Sequence, residues 1–502
     1  MDANTLAAQF AGLNPGGAPV LGGSTGGGLD MIGDLTKALE ASNYTTNVAD
    51  LTGGGALGIQ SLDTAMKTTI QENEHFTLMN RLQSTSATNI VDEYSRQTNV
   101  GGFLGGSTNS QMGVVRSAQG EYSREVGLVK FLMTLRQVGY VLTIGKNLAE
   151  PISLEERNGA LQLLTDANYL LYHGNAAACP VQFDGVFAQI DAEIAAGQMS
   201  GDNVVDLQGV KIDSIDAISQ INVAVSRYGS WGRSTDIFLP NSVQNDLNKY
   251  LDPSFRWTPA GSNTPVVGGH VEGIRLTNGV LKTNMDTFIH DEENPMVYPF
   301  EVNNAALAAA NVLFKPQSVT VAAATSDAES QFTAGRAGNY YYAVASISAK
   351  GEGLTAVVLS TQTAVAAGKK AVLTITGSAS NLESGYAIYR SRQDGTNAVN
   401  DFRLVKVIKR TGATTTFTDL NRDIPGTVSA PLLNMAPGAD AIGWRQFQPM
   451  TKIPLPFGIG GMAQYSWFQF LFGYLRITKP KHHGYIKNIL PSNAKWRPHT
   501  GE

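Results

Sequence analysis

The chain has little cysteine, little charge and no long apolar run. Cys179 is the single cysteine in 502 residues, which excludes an intrachain disulfide and fits a reducing cytoplasm. The most apolar stretch, residues 465–477, is too short and too polar to span a bilayer, so no membrane role is expected. Charged residues make up 16% of the chain, below the roughly 25% of an average soluble domain. Such a composition is compatible with large surfaces buried against other copies, and equally with flexible glycine-rich segments.

Catalytic and metal-binding patterns are also missing. The histidines are dispersed, with no HExxH motif and no paired cysteine ligands, so we expect no metal and no cofactor. Neighbouring His482 and His483 would face opposite sides of a strand. There is no GxSxG nucleophile elbow, and the acidic cluster at residues 291–293 is typical of a solvated loop. We therefore expect a protein that is not an enzyme.

Net charge and chain length further restrict the kind of protein that this sequence encodes. The net charge is −5 and the pI is about 5.9, which does not indicate a nucleic-acid binder held by a basic face. Residues 1–9 contain Asp2 and no basic segment, so no secretory signal is expected. A chain of this length normally divides into roughly two to four domains.

Glycine, by contrast, is abundant, with 53 residues. Clusters of glycine run through residues 1–60, which predicts an extended or mobile N-terminal arm with little core of its own. None of the clusters reads GxxxxGK[ST], so a phosphate-binding loop is disfavoured. Residues 61–85 look helical.

Two extended runs follow, Thr88–Tyr94 and Tyr122–Ile144. A glycine-rich tip at residues 101–120 separates them, and no proline interrupts the whole stretch. This pattern predicts a long hairpin that would be poorly stable alone. The simpler alternative is a plain surface hairpin of a monomeric domain.

The next stretch predicts one long amphipathic helix. Ser153 and Glu156 form a capping-box pattern behind Pro151, and His173 and Gly174 suit a helix end as a cation and a left-handed residue. The buried stripe should consist of leucines at near-helical spacing, namely Leu154, Leu161, Leu164 and Leu171.

After this helix the pattern is mixed. Residues 211–228 predict a second amphipathic helix, residues 235–240 a strand that ends in proline, and residues 242–251 a short helix capped by Asn241. Helix, strand and helix in this order indicate an α+β arrangement.

From about Pro316 to Pro437, charges thin out and short β runs follow one another. Their spacing predicts an all-β sandwich of roughly 120 residues. The tyrosine-rich run at 339–346 and the run at 385–390 resemble strands of fibronectin type III or Ig-like domains, in an order that looks permuted. Residues 465–472 then form an aromatic run, best interpreted as a buried strand.

The succession of hairpin, long helix, short loop and α+β region resembles tailed-bacteriophage major capsid proteins of the Hong Kong 97 fold. That resemblance implies an α+β capsid fold with an inserted all-β Ig-like sandwich. It implies seven segments: an N-terminal arm (1–60), a first P-domain part (61–87), the E-loop (88–147), the P-domain spine helix (148–180), the A-domain with P-domain strands (181–314), the inserted sandwich (315–437), and C-terminal P-domain strands with a tail (438–502).

The implied function is architectural. Many copies would assemble as hexamers and pentamers into an icosahedral head shell enclosing double-stranded DNA, with the β sandwich on the outer surface. Portal, decoration or scaffolding proteins would be partners, and the protein would be made in the cytoplasm of an infected bacterium and end in the virion. Contacts between subunits are expected in the E-loop and the arm, at Arg116, Glu121, Arg124, Glu125, Lys130 and Leu35.

Three rival functions are weighed against this one. A cell-surface adhesion protein with a fibronectin-like module would need an export signal, and the N-terminal residues contain none. A carbohydrate-active enzyme would need two carboxylates that converge across a cleft, and no part of the sequence nominates such a pair. A minor virion or tail protein is disfavoured by the order of hairpin and long helix.

Overall fold

The computed structural model describes residues 76–145, 150–250, 273–291, 314–348, 357–458 and 461–500. The chain divides into two compact units, Met1–Thr69 and Ile70–Glu502, and all described residues belong to the second. The predicted arm, including Leu35, and most of the predicted helix at 61–85 therefore lie outside the described residues.

Helices and strands alternate irregularly along the described part of the chain. The α-helices are α1 (Thr77–Arg81), α2 (Tyr140–Ile144), α3 (Pro151–His173), α4 (Val186–Ala195), α5 (Asp216–Ser226) and α6 (Asn241–Tyr250). The strands up to the β-rich region are β1 (Gln83–Ser86), β2 (Val91–Asn99), β3 (Glu121–Leu128), β4 (Lys130–Gly139), β5 (Val204–Asp206), β6 (Asp236–Leu239), β7 (Gly273–Leu276) and β8 (Gly279–Met285).

The later part of the chain is almost entirely β-structure. Its strands are β9 (Ser318–Ala322), β10 (Gly338–Tyr340), β11 (Tyr342–Ser348), β12 (Val358–Leu359), β13 (Thr363–Val365), β14 (Ala371–Thr376), β15 (Glu383–Ser391), β16 (Phe402–Lys409), β17 (Thr414–Asp419), β18 (Val428–Leu433), β19 (Ile442–Pro454), β20 (Gln464–Ile477) and β21 (Gly484–Ile489). The fold class is mixed α+β, as the sequence predicted.

The predicted second run of the hairpin is two strands. Strand β3 pairs with β2 in a two-stranded hairpin, whereas β4, after Val129, pairs with β20 near the other end of the chain. Val129 is buried at the change of partner. The hairpin is thus confined to residues 91–128, and the rest of the run forms the edge of a sheet in the order β1-β19-β20-β4.

Helix α3 lies across one face of this four-stranded sheet. The Arg136 guanidinium donates to the Glu155 carboxylate at 3.2 Å, and the Gln469 amide donates to the Glu156 carbonyl at 2.9 Å. Gly159 permits this approach, because a Cβ there would overlap the Gln469 side chain. The core side of the helix contains Leu161, Leu163, Ala167, Leu171 and Tyr172, with Leu164 packed beside them.

Both ends of α3 differ from the sequence prediction. The helix begins at Pro151, with Glu150 in the N-cap position, and the predicted capping box does not form. Ser153 instead donates its hydroxyl proton to the Glu150 carbonyl at 3.0 Å. Proline at the first helical position has a pre-set φ and lacks only an N–H that would be unpaired there, which explains the earlier start.

The end of α3 is set by close packing. Gly174 has φ −58° and ψ 138°, so the predicted left-handed conformation is wrong. A Cβ at Gly174 would overlap the Phe183 carbonyl oxygen and lie 2.7 Å from that of Leu170, which is why glycine is required. The predicted cationic role of His173 is also wrong, because burial and neighbouring His290 lower the pKa of His173 to about 3.

The largest sheet joins distant parts of the chain. Its order is β5-β21-β18-β6-β8-β7, and all four residues of β6 are buried. The predicted strand and short helix after the spine region are present as β6 and α6, while α5 is shorter than predicted. The predicted sandwich boundary at residue 437 includes β18, whereas β18 pairs with β6 and β21 of this sheet.

Strands β9 to β17 form a β module with its own core. One sheet has the order β12-β11-β15-β16, a second β17-β14-β9, and β10 pairs with β13. Tyr340, Tyr342, Leu373 and Tyr386 are buried between them. A second apolar cluster joins β11 and β15 to Ala178 and Cys179, in the loop after α3, so the module packs directly on the rest of the unit. Its Ig-like character stays a prediction.

Candidate interaction surface

The hairpin is held on the four-stranded sheet by one buried carboxylate. Arg445 donates to both oxygens of Asp92, at 2.8 and 2.9 Å, and the Tyr474 hydroxyl donates to Asp92 at 2.6 Å. Arg476 lies 3.7 Å from the same carboxylate. The hydrogen bond from Arg445 and those around it hold the pKa of Asp92 below its usual value, although burial opposes them.

Further contacts fix the stem of the hairpin. Arg96 pairs with Glu193 of α4 at 2.8 Å and with Glu125 of β3 at 3.0 Å. A Cβ at Gly127 would overlap the Tyr474 ring and hydroxyl, so glycine permits the close approach of β3 to β20. The stem is therefore packed against its own unit.

The tip of the hairpin, unlike the stem, is largely exposed. It lies across an open cleft of about 1740 Å³ from the turn that carries Tyr228 and Trp231. The tip exposes large apolar side chains, with Met112 and Val114 almost fully accessible at 97% and 91%. The others in this group are Val100, Phe103, Leu104 and Val115. Exposed apolar clusters of this kind mark binding surfaces in soluble proteins.

A second apolar surface covers the face of the four-stranded sheet opposite α3. In β4 and β20, Phe131 is paired with Phe472, Met133 with Phe470 and Leu135 with Phe468. Directly paired residues point to the same side of a sheet, so these six side chains form one patch, which we call the aromatic face. Ile453 of β19 extends it beside Phe468.

The aromatic face is ordered by ring contacts. Phe131 meets Phe472 edge-on with centroids 5.0 Å apart, and Phe470 lies 5.3 Å from Phe472. Phe131, Met133 and Leu135 remain exposed, Met133 at 59%. The sequence interpretation of residues 465–472 as a buried strand holds for Trp467 and Leu471, but the alternate phenylalanines are only partly buried.

The β module exposes fewer large apolar side chains than the hairpin tip does. Its described residues expose two large apolar side chains, Leu359 and Leu382, on different parts of the module. Among the described residues, exposed apolar side chains are therefore sparse on the β module and more frequent elsewhere, at the hairpin tip, on the aromatic face and in α2, where Val141 and Ile144 are exposed.

Apart from Leu35, which lies outside the described residues, the residues predicted for intersubunit contact lie in the hairpin and at the start of β4, and most have partners within the chain. Arg124 pairs with Glu93 at 3.3 Å, Glu125 with Arg96, and Lys130 donates to the Pro180 carbonyl at 2.6 Å. Arg116 lies over the Phe103 ring at 6.0 Å, and Glu121 is exposed at the start of β3. The apolar side chains around them were missed, although their occurrence in a glycine-rich tip is visible in the sequence.

Other kinds of site find no support in the described part of the chain. No group of three or more histidine, cysteine, aspartate or glutamate residues there is placed to hold a metal ion. Asp291, the described member of the acidic cluster, accepts a hydrogen bond from Ser242 at 2.6 Å. None of the helices found in these ranges combines the length and the apolar character needed to cross a membrane.

Comparison with known proteins gives structural likenesses alone. No protein-family model matches the chain, and no curated protein matches it. The chain is similar to the capsid of a native GTA particle, with 8% identity, 89% of this chain and 100% of that chain covered, and a TM-score of 0.45. For the capsid of Myoviridae phage XM1 the identity is 8%, the coverage 85% and 96%, and the TM-score 0.41. For the SrpI encapsulin complex of Synechococcus elongatus PCC 7942 the identity is 9%, the coverage is 85% of this chain and 92% of that chain, and the TM-score is 0.36.

All three TM-scores lie below 0.5. A hairpin precedes a long helix, and the helix lies across a sheet that includes strands from the far end of the chain. The α+β region that follows the helix contributes β5, β6, β7 and β8 to a second sheet, which β18 and β21 complete. This succession of elements is the one that the resemblance to the Hong Kong 97 fold predicts, and the mixed α+β class is observed directly.

Proposed function

We propose that this chain is the subunit of a capsid shell, and that its function is to assemble with copies of itself. The observation that carries the proposal is that the described residues leave two apolar surfaces uncovered, the hairpin tip and the aromatic face. Within the described part of a single chain both surfaces face water, where apolar area costs free energy. Burying each against a neighbour removes that cost.

The two surfaces differ in shape, which favours a shell over a simple dimer. One is a narrow projection and the other a flat sheet face. A contact between unlike surfaces leaves one of each free on every added copy, so association continues until a ring or shell closes. Many modest contacts then act together.

The finer form of the proposal is a major capsid protein of a tailed bacteriophage. The shell would enclose double-stranded DNA, contacted non-specifically on its inner face, and portal, decoration or scaffolding proteins would complete the virion. It would be made in the cytoplasm of the bacterial host. The support is the order of hairpin, long helix and α+β region together with the exposed apolar surfaces.

The test is assembly of the full chain, expressed alone and with its neighbouring genes. Velocity sedimentation and negative-stain microscopy should show closed particles. Substituting Phe470→Lys places a charge in the middle of the aromatic face and should reduce the particle fraction at least tenfold, since an unpaired buried charge costs several kcal/mol.

The matched control is Leu382→Lys, which adds the same charge at an exposed apolar position of the β module. It should leave assembly unchanged. Discrete monomers of the wild-type chain under all conditions would refute the proposal, and so would equal assembly of F470K and L382K. Closed particles that contain no nucleic acid after expression with the neighbouring genes would refute only the DNA-enclosing form.

A further inference from the structure

The last described residues run from the large sheet to the β module and contact both. After β21, the Ser492 backbone N–H donates to the Asp246 carboxylate of α6 at 2.7 Å. Six residues later, the Pro498 carbonyl accepts a hydrogen bond from the Gln393 backbone at 2.8 Å, just after β15 of the module. We call residues 491–500 the tail segment.

Trp496 fills the junction between the two parts. It is buried, and the Arg403 guanidinium of β16 lies 5.1 Å from its ring centroid. On the other side its ring lies against Gly426, where an added Cβ would be 2.5 Å from a ring carbon. Gly426 has a φ of +71° and lies two residues before the start of β18 in the large sheet. The Trp496 indole therefore contacts both β16 of the module and the turn that leads into β18 of the large sheet.

His499 completes the interior of the module. It is 3% exposed, its Nδ1 lies 3.3 Å from the Tyr340 hydroxyl, and its Nε2 lies 3.5 Å from the Asn421 amide nitrogen. Tyr340 donates its own proton to the Arg336 carbonyl. A neutral imidazole with its proton on Nδ1 therefore donates to Tyr340 and accepts from Asn421, which satisfies both contacts.

The groups around His499 are the polar centre of the module. Arg390 is fully buried and donates to Asp419 and to Asn421, both at 2.6 Å. Its guanidinium lies over the Tyr340 ring at 5.1 Å and the Phe332 ring at 5.4 Å. A buried ion pair is stable only when its surroundings stay closed to water and its hydrogen bonds are satisfied. His499, which belongs to the tail segment, supplies part of that closure.

We propose that the tail segment is a latch that completes the β module, so that the module is not an autonomous inserted domain. Its strands come from residues 318–419, but His499 closes its interior and Trp496 its junction with the large sheet, both about 80 residues further along the chain. The module consequently acquires its full rigidity only when the last strand of the large sheet has placed the tail segment. This inference does not depend on the proposed assembly.

The experiment is hydrogen exchange of the full-length chain, read by mass spectrometry in peptides of the module and of the four-stranded sheet. His499→Ala and Trp496→Ala should each speed exchange in β10 and β15 at least tenfold and change β4 and β20 less than twofold. His499→Gln keeps one donor and one acceptor and should recover most of the protection. Asn493→Ala, at an exposed position of the same segment, is the control and should have no effect.

The latch is refuted if H499A and W496A leave the module's exchange within twofold of wild type, or if they accelerate the whole chain equally. A measurement on the wild-type chain serves where those variants do not fold. In low denaturant the amides of Thr500 and Gln393, which are bonded across the junction, should exchange at the rate of the β15 amides. Exchange of the Thr500 amide a hundredfold faster than β15 would overturn the proposal.

Discussion

At the scale of the residue, Gly174 ends the long helix because of what lies beside it. Two carbonyl oxygens occupy the space of a Cβ, and backbone atoms cannot move aside as a flexible side chain can. We predict that Gly174→Ala lowers the free energy of unfolding by about 3 kcal/mol, as overpacking of a fixed site does. Gly201→Ala, where no atom lies within 4 Å of the added Cβ, should change it by less than about 0.5 kcal/mol. Urea unfolding of both variants measures the difference, and equal values would contradict this explanation.

A second residue-scale property is the response to acid. Burial lowers the pKa of His483 to about 3, and burial together with Arg390 and Arg336 lowers that of His499 to about 3. Both histidines are thus neutral in the folded chain but take up a proton in the unfolded chain below its pKa of about 6.5. Stability is therefore fully present above about pH 6.5 and falls as the pH decreases toward 3.

We predict a loss on the order of 2 kcal/mol for each of these two histidines at pH 5, because one pKa unit corresponds to about 1.4 kcal/mol. Urea titrations at pH 7 and pH 5 measure it. His499→Gln should reduce the number of protons taken up on unfolding at pH 5 by about one. Proton uptake that is the same in H499Q and in wild type would show that His499 titrates normally in the fold.

At the scale of the element, the hairpin stem depends on Asp92. This carboxylate joins β2 to Arg445 and Tyr474 of the four-stranded sheet. Removing its charge leaves the largely buried Arg445 unpaired, which costs about 3 to 5 kcal/mol in comparable pairs. We predict that Asp92→Asn loosens the hairpin while the remaining core stays folded.

The adjacent residue provides the control for Asp92. Glu93 pairs with Arg124 at the surface, where both side chains are well exposed. Such pairs contribute roughly 0 to 1 kcal/mol, so Glu93→Gln should behave as wild type. Limited proteolysis of residues 91–128 should be faster in D92N than in E93Q. The same rate in both would show that the Asp92 contacts do not hold the hairpin.

At the scale of the whole molecule, the proposed contacts are apolar, and this sets how assembly should respond to conditions. Apolar burial weakens on cooling, while screening by salt acts on exposed charges. We predict that the protein concentration needed for particle formation rises at 4 °C relative to 25 °C. Between about 0.05 and 0.5 M salt it should change by less than about twofold. Light scattering against concentration measures both, and a steep salt dependence with no effect of temperature would indicate charged contacts instead.

The sequence by itself determined the local elements of this protein. Spacing of apolar residues is enough to place α3, β6 and α6, because each pattern is complete within a few turns or a few strand residues. It also indicates a hairpin before α3, although the predicted second run includes β4, which pairs with β20 instead. The α+β class and the order of elements follow from the same local signals. Even there, the ends of α3 were wrong, since Gly174 and His173 are set by Phe183 and His290 rather than by their neighbours in sequence.

Tertiary structure alone decided which strands pair and which faces remain open. The pairing of β4 with β20 joins residues more than 300 positions apart, and it turns alternate phenylalanines of an aromatic run toward solvent. The docking of the tail segment into the β module is equally remote from any local pattern. Local periodicity predicts that a strand has two different faces. Only the elements that pack on the strand determine which face is covered, because burial depends on the whole folded chain.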